Sequence, residues 1–158
     1  MTTSRMTDLF DAKTMDLRDS IAPLIAQTRA AILHGVDQEF QEDKEIGPLE
    51  VTAAQFAIIA NVLKLGVNTA CDLCLHLDYD RGAMSRMIDR LQKKGLVRRM
   101  PLAHTRRTLA LEVTAAGKAA FPKMEVCVAR VLNRMLKGVT RNQVRETEKV
   151  LRVMLANS

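Results

Sequence analysis

A chain of 158 residues, 47% hydrophobic and 27% charged with a formal net charge of +6, is sized for one domain with a real core, and disorder is excluded as its default state. No run approaches the ~20 consecutive apolar residues of a spanning helix, and Met1 to Asp16 lacks the basic and apolar regions of a signal peptide, so a cytoplasmic protein without a membrane partner is expected. With no Trp, one Tyr and four Phe, the chain offers no stacking platform for single strands, which favours duplex DNA among nucleic acids.

Residues 1–16 read as a loose arm. From Leu17 the apolar positions Ile21, Leu24, Ile25, Ile32, Val36 and Phe40 recur at helical spacing, predicting one long amphipathic helix that ends before Gly47-Pro48. Thr52 is placed to cap a second helix carrying Phe56, Ile59 and Leu63 and stopping at Gly66. Thr69 then caps a short third helix through Leu77, and Asp80 opens a fourth over Arg81 to Lys94, closed by Gly95. Met84, Met87, Ile88 and Leu91 share one face of that helix; Arg86, Arg90 and Lys93 share another.

Leu96 to Met100, a turn through Pro101 to Arg106, and the alternation of Leu109, Leu111 and Val113 with Thr108, Ala110 and Glu112 predict a β-hairpin. Thr114 caps a fifth helix running towards Leu136, which Pro122 is expected to kink or restart, and Thr140 caps the last. The expected fold is therefore mostly α with a small β-hairpin (α+β). The chain divides into the arm, a helix and linker over 17–50, a central module over 51–113 and C-terminal helices over 114–158. The apolar stripes of the terminal segments could close an intramolecular core or a symmetric dimer.

Charge is concentrated in that module. Arg81 to Arg107 holds nine Lys or Arg against the single acid Asp89, a local +8 in a chain of +6. A basic block built on a helix and a hairpin has the footprint of a nucleic-acid-binding element.

The segments TACDLCLHL from Thr69, SRMIDRLQKKGLVRR from Ser85 and TRRTLALEVTAAG from Thr105 resemble the MarR family of winged helix-turn-helix regulators over roughly Val51 to Phe121. The resemblance implies terminal dimerisation helices, an obligate homodimer, and regulation by small, often phenolic or aromatic-acid ligands. It also implies a recognition helix in the major groove, with a two-fold dimer matched to a pseudo-palindromic site. Arg81, Ser85 and Arg86 are the base-edge candidates, and Arg90 and Lys93 the phosphate candidates. The competing reading is a solvated helix face in which Asp89 pairs with its basic neighbours.

Arg106 and Arg107, at the hairpin tip, are placed to enter the minor groove. The family usually has Asp where this chain has Thr105, and the neutral hydroxyl cannot orient an arginine as a carboxylate does. Arg98 and Arg99 read equally as exposed strand residues and as phosphate contacts.

Cys71 and Cys74 form a lone CxxC, two ligands short of a structural zinc site, and core packing is the simpler reading. Cys74 stands where the family usually has a small Ala, and Cys127 reads as a small filler at or near the dimer seam. Three cysteines in a chain without an export signal are expected to be reduced. His34, His76 and His104 are too dispersed for a ligand cluster; His34, with Phe56 and Asn61, is retained as an effector-binding candidate on the family resemblance. Met84, Met87, Met135 and Met154 are expected in the core.

The chain has no glycine-rich phosphate loop and no recognisable nucleophile and base, so no enzyme and no cofactor are expected. The leading expectation is a ligand-released dimeric repressor. A winged-helix protein adaptor and a thiol-redox sensing regulator are the alternatives.

Overall fold

A computed structural model of the protein describes residues 9, 10, 13, 16, 20–102 and 105–158, with only the backbone at 102 and 105–108. The expected arm lies largely outside these residues, as do the helix start at Leu17 and His104. Among them the elements run α1 (Ile21–Glu42), a 3-10 turn (Gly47–Leu49), α2 (Ala53–Ala60), α3 (Ala70–Leu77), α4 (Arg81–Lys93), β1 (Val97–Leu102), β2 (Thr105–Val113), α5 (Ala115–Met135) and α6 (Arg141–Ala156). None of these helices is long and apolar enough to cross a membrane.

Side-chain caps set most helix starts. Thr52 and Thr140 each close a reciprocal capping box, with Gln55 and Gln143, while Thr69, Asp80 and Thr114 accept from the third residue of their helices. Beyond Ala60, α2 does not stop; it widens into a π turn over Asn61–Leu65 before Gly66 adopts φ +67°. Asn61 turns its amide inward and donates to the Ala57 carbonyl at 2.9 Å.

The core lies between the second half of α1, helices α2 to α5 and the base of the hairpin. Phe40, Ile46, Ile58, Ile59, Leu73, Met84, Ile88, Leu91, Leu96, Val97, Val113 and Met124 are all essentially inaccessible. Phe56 stacks on Phe121 with centroids 5.4 Å apart and meets Phe40 edge-on at 5.9 Å, so three of the four phenylalanines form one cluster joining α1, α2 and α5. Met84 is buried and Met87 half-buried as expected, but Met135 and Met154 are not core residues: they are 42% and 40% exposed. They sit on helix faces that stay partly open to solvent among the described residues.

Two more expectations are corrected. Helix α5 does not restart at Pro122 but runs through it as one element, because Phe121, Met124, Cys127 and Val131 bury one continuous face while the proline ring stays exposed. The hairpin turn is also tighter than Pro101 to Arg106, since β1 extends to Leu102 and β2 begins at Thr105, with a register irregularity between Pro101 and Leu102. Proline lacks the N–H a regular ladder would use there.

Helix α1 is joined to the rest from Arg29 onward. Arg29 lies over the Tyr79 ring at 5.9 Å, and Asp37 accepts from the Ala53 N–H at 2.6 Å. Glu39 pairs with Arg130 and Arg134 of α5, both at 3.1 Å. Asp43 accepts from the Glu45 and Ile46 amides, which turns the chain out of α1, and Lys123 pairs with Glu45.

Candidate nucleic-acid interface

The helix-turn-helix is built by local chemistry. The backbone leaves α3 at Asp78 in the left-handed region (φ +55°), the Tyr79 N–H returns to the Cys74 carbonyl at 3.2 Å, and the Asp80 carboxylate accepts from Ala83 at 2.8 Å to start α4. Met84, Ile88 and Leu91 are buried, so the opposite side of α4 must face solvent. That side carries Arg81, Ser85, Arg86, Asp89, Arg90 and Lys93, all exposed.

The cations of the basic block divide sharply. Lys94 turns inward, donating to the Leu49 and Glu50 carbonyls at 2.7 and 3.0 Å with the Glu50 carboxylate at 3.7 Å. Arg98 pairs across the hairpin with Glu112 at 2.7 Å. Arg99 turns back to α4 and binds Asp89 at 2.6 Å and Gln92 at 2.8 Å. Of the six left over, the four whose side chains are described, Arg81, Arg86, Arg90 and Lys93, have no carboxylate within ion-pairing distance among the described residues.

The solvated-face reading is thus overturned in its central element: Asp89 pairs with the hairpin and not with its helix neighbours. An added Cβ at Gly82 would lie 3.2 Å from the Arg86 Nη1, so this guanidinium folds back over the first turn of α4. Arg81, Ser85 and Arg86 therefore gather at the N-terminal end of the helix, and Arg90 and Lys93 lie further along the same side. The side chains of Arg106 and Arg107 lie outside the described residues.

Lys94 and Arg99 are the functional neighbours that sequence reasoning passed over or left open, although periodicity marked both. Lys94 follows Leu91 by three residues and continues the buried stripe of α4. Arg99 shares the strand parity of buried Val97, so it faces the helix while Arg98 faces away.

The remaining candidates do not converge on one cavity. His34 is exposed on α1, Phe56 is held in its aromatic cluster, and Asn61 is buried with its amide on Ala57. Cys71 is exposed, Cys74 half-buried and Cys127 buried, and no group of three His, Cys, Asp or Glu able to hold a metal occurs among the described residues. Cys127 packs against the end of α1, where its thiol donates to Asp43 at 3.5 Å. Burial and the adjacent carboxylate push that thiol up to about 11. The Ile46 amide, ahead of the thiol and Arg130, holds the Asp43 carboxyl below its ordinary value. Hydrogen bonding to Glu39 raises Arg130.

Comparison with known proteins agrees with this geometry. The winged helix DNA-binding domain family matches residues 51–117. The chain is 31% identical over 145 residues to the multiple antibiotic resistance protein MarR of Escherichia coli K12, covering 90% of this chain and 97% of that one. A mutant E. coli MarR complexed with operator DNA superposes with a TM-score of 0.66 at 29% identity, over 89% of this chain and 99% of that one. An organohalide-sensing transcriptional regulator in its 2,4-dichlorophenol-bound form shares the fold, with a TM-score of 0.71 at 18% identity, over all of this chain and 90% of that one.

Proposed function

Because the chain belongs to the MarR family of winged-helix DNA-binding transcriptional regulators, which are not enzymes, we propose that it acts as a homodimeric repressor released from a pseudo-palindromic duplex site by a small aromatic ligand. The observation that carries this reading is the row of unpaired cations on one side of α4, with Arg81, Ser85 and Arg86 at the end that enters the major groove. Arg86 and its two neighbours read base edges; Arg90 and Lys93 meet phosphates. Arg106 and Arg107 at the wing tip reach the adjacent minor groove. On this assignment residues 51–113 form the DNA-binding lobe, and 17–50 and 114–158 supply the dimer.

The dimer reading draws on the terminal helices. Helix α6 buries no residue within the protomer, and Val150, Leu151, Val153, Met154 and Leu155 are 37–75% exposed. Of these, Val150 and Leu151 line an apolar cavity of about 460 Å3 together with Ile21, Leu24 and Ile25 of α1. A second copy covers this surface, and its two-fold axis sets the spacing of the two recognition helices.

The ligand reading is supported by the phenol-bound regulator of the same fold. A ligand shifts the population towards a helix spacing that no longer matches successive major grooves, by no more than its differential affinity for the two states. His34 is the exposed residue on α1 retained for ligand contact, since Phe56 and Asn61 already have partners within the core. Such a regulator works beside its DNA, in the cytoplasm.

The test is fluorescence anisotropy of the protein on promoter DNA and scrambled DNA across a salt series. Tight, sequence-preferring binding that falls steeply with salt and weakens with an added phenol is expected. Absence of binding to both DNAs would shift the reading to a protein adaptor. Release that depends on an oxidant instead of a phenol, and is lost in the Cys71→Ser, Cys74→Ser variant, would shift it to a thiol sensor.

A further inference from the structure

The Arg99 guanidinium uses two of its nitrogens on α4: Nη2 donates to Asp89 Oδ1 at 2.6 Å and Nη1 to Gln92 Oε1 at 2.8 Å. These acceptors stand three residues apart on one helix side, so the planar fork fixes direction as well as distance. Arg99 is also the last β1 side chain tied to the helices before the register breaks between Pro101 and Leu102. Its cross-strand partner, Leu111, is held from the other side by a 2.7 Å hydrogen bond from its N–H to the Asn68 carbonyl. Besides its buried apolar base of Val97, Leu111 and Val113, the wing is tied to the helical body by these two polar contacts, and only the first of them reaches α4.

Asp89 is out of place electrostatically. It is the only acid among the cations on the exposed side of α4, half-exposed, where its charge opposes any approaching phosphate. An anion there reduces DNA affinity unless its positional effect outweighs the repulsion.

We infer that Asp89 and Gln92 are positioning residues which, by gripping Arg99, hold the wing at a fixed angle to the recognition helix and so set sequence discrimination. This rests on the proposed DNA-binding reading of α4 and the hairpin. A regulator that reads the major groove with a helix and the minor groove with a wing needs the two at one separation. Random DNA, bound mainly through phosphate charge, tolerates many separations.

Asp89→Ala, Asp89→Asn and the exchange Asp89→Arg with Arg99→Asp separate geometry from charge. For Asp89→Ala, affinity for random DNA is expected to hold or rise while affinity for the specific site falls, lowering their ratio about ten-fold, within the range for residues acting as a coupled pair. Asp89→Asn, which keeps the Oδ1 acceptor, falls between, and the exchange recovers most of the ratio. Amide hydrogen exchange of the free protein at residues 97–100 and 109–113 supplies a readout independent of DNA. It is expected to quicken in Asp89→Ala and to return in the exchange variant.

Specific and random affinities that rise together in Asp89→Ala would reduce Asp89 to a repelling charge and overturn the inference. So would unchanged wing exchange, or a loss that the exchange variant does not repair. If the unaltered protein binds no DNA, the parent reading fails by itself, and the grip is still decided by the exchange rates.

Discussion

The Lys94 ammonium donates to the Leu49 carbonyl at 2.7 Å, fastening the residue that follows the recognition helix to the turn that leads from α1 into α2. A cation in the middle of the basic block is thereby removed from the solvent-facing set and made structural. Lys94→Met, which keeps the apolar stem, is expected to cost about 1–3 kcal/mol of stability by stranding carbonyl acceptors, read as a lower urea midpoint with an unchanged slope. Its neighbour behaves oppositely: Lys93→Ala leaves stability within about 0.5 kcal/mol but reduces the salt slope of DNA binding by about 1.

Arg86→Ala is expected to weaken the specific complex by about 1–3 kcal/mol and to relax base preference, because its guanidinium lies over the first turn of α4. Anisotropy on specific and random duplexes checks this. Equal losses on both would assign Arg86 to phosphate.

Leu24 is 46% exposed in the protomer and lines the cavity between α1 and α6. Leu24→Glu is expected to leave the helical circular dichroism intact while shifting sedimentation from dimer to monomer, since a buried unpaired carboxylate is costly in an apolar seam. Operator affinity drops with it. A variant that still sediments as the unaltered protein would move the dimer seam elsewhere.

Gly117 has no room for a side chain. A Cβ there would come within 2.3 Å of the Leu96 carbonyl oxygen and 2.6 Å of Val113 Cγ1. Gly117→Ala is therefore expected to destabilise the protein by about 1–3 kcal/mol, measured by thermal unfolding, because α5 must back away from the base of the wing.

The Cys127 thiol, raised from 9.0 to about 11 by burial and by Asp43, favours the neutral form in the folded state. Its contribution to stability is complete below pH 9.0 and is lost as pH climbs towards about 11. The difference in unfolding free energy between the parent protein and Cys127→Ala is expected to shrink across that window. A thiol-reactive dye should label exposed Cys71 at neutral pH and reach Cys127 only on unfolding.

Much of the site was legible in the chain because its determinants are local. Thr52, Thr69, Asp80, Thr114 and Thr140 mark helix starts through bonds spanning three residues, and the stripe of Met84, Ile88 and Leu91 decides which side of α4 is buried. Once that stripe is known, the exposure of Arg81, Arg86, Arg90 and Lys93 follows from helix geometry.

Capping and periodicity act over a single turn, so the elements, their order and the basic character of one helix side can be read from the chain alone. Which cations on that side stay unpaired is settled by long-range packing. That outcome depends on partners beyond the helix's own turns: Leu49 and Glu50 to Lys94, 45 and 44 residues apart, and Asp89 of α4 to Arg99 of β1. The continuity of α5 through Pro122 and the exposure of Met135 and Met154 were decided there as well. Burial against other elements outweighs intrinsic preference in the first case, and in the second the helix faces stay partly open to solvent among the described residues.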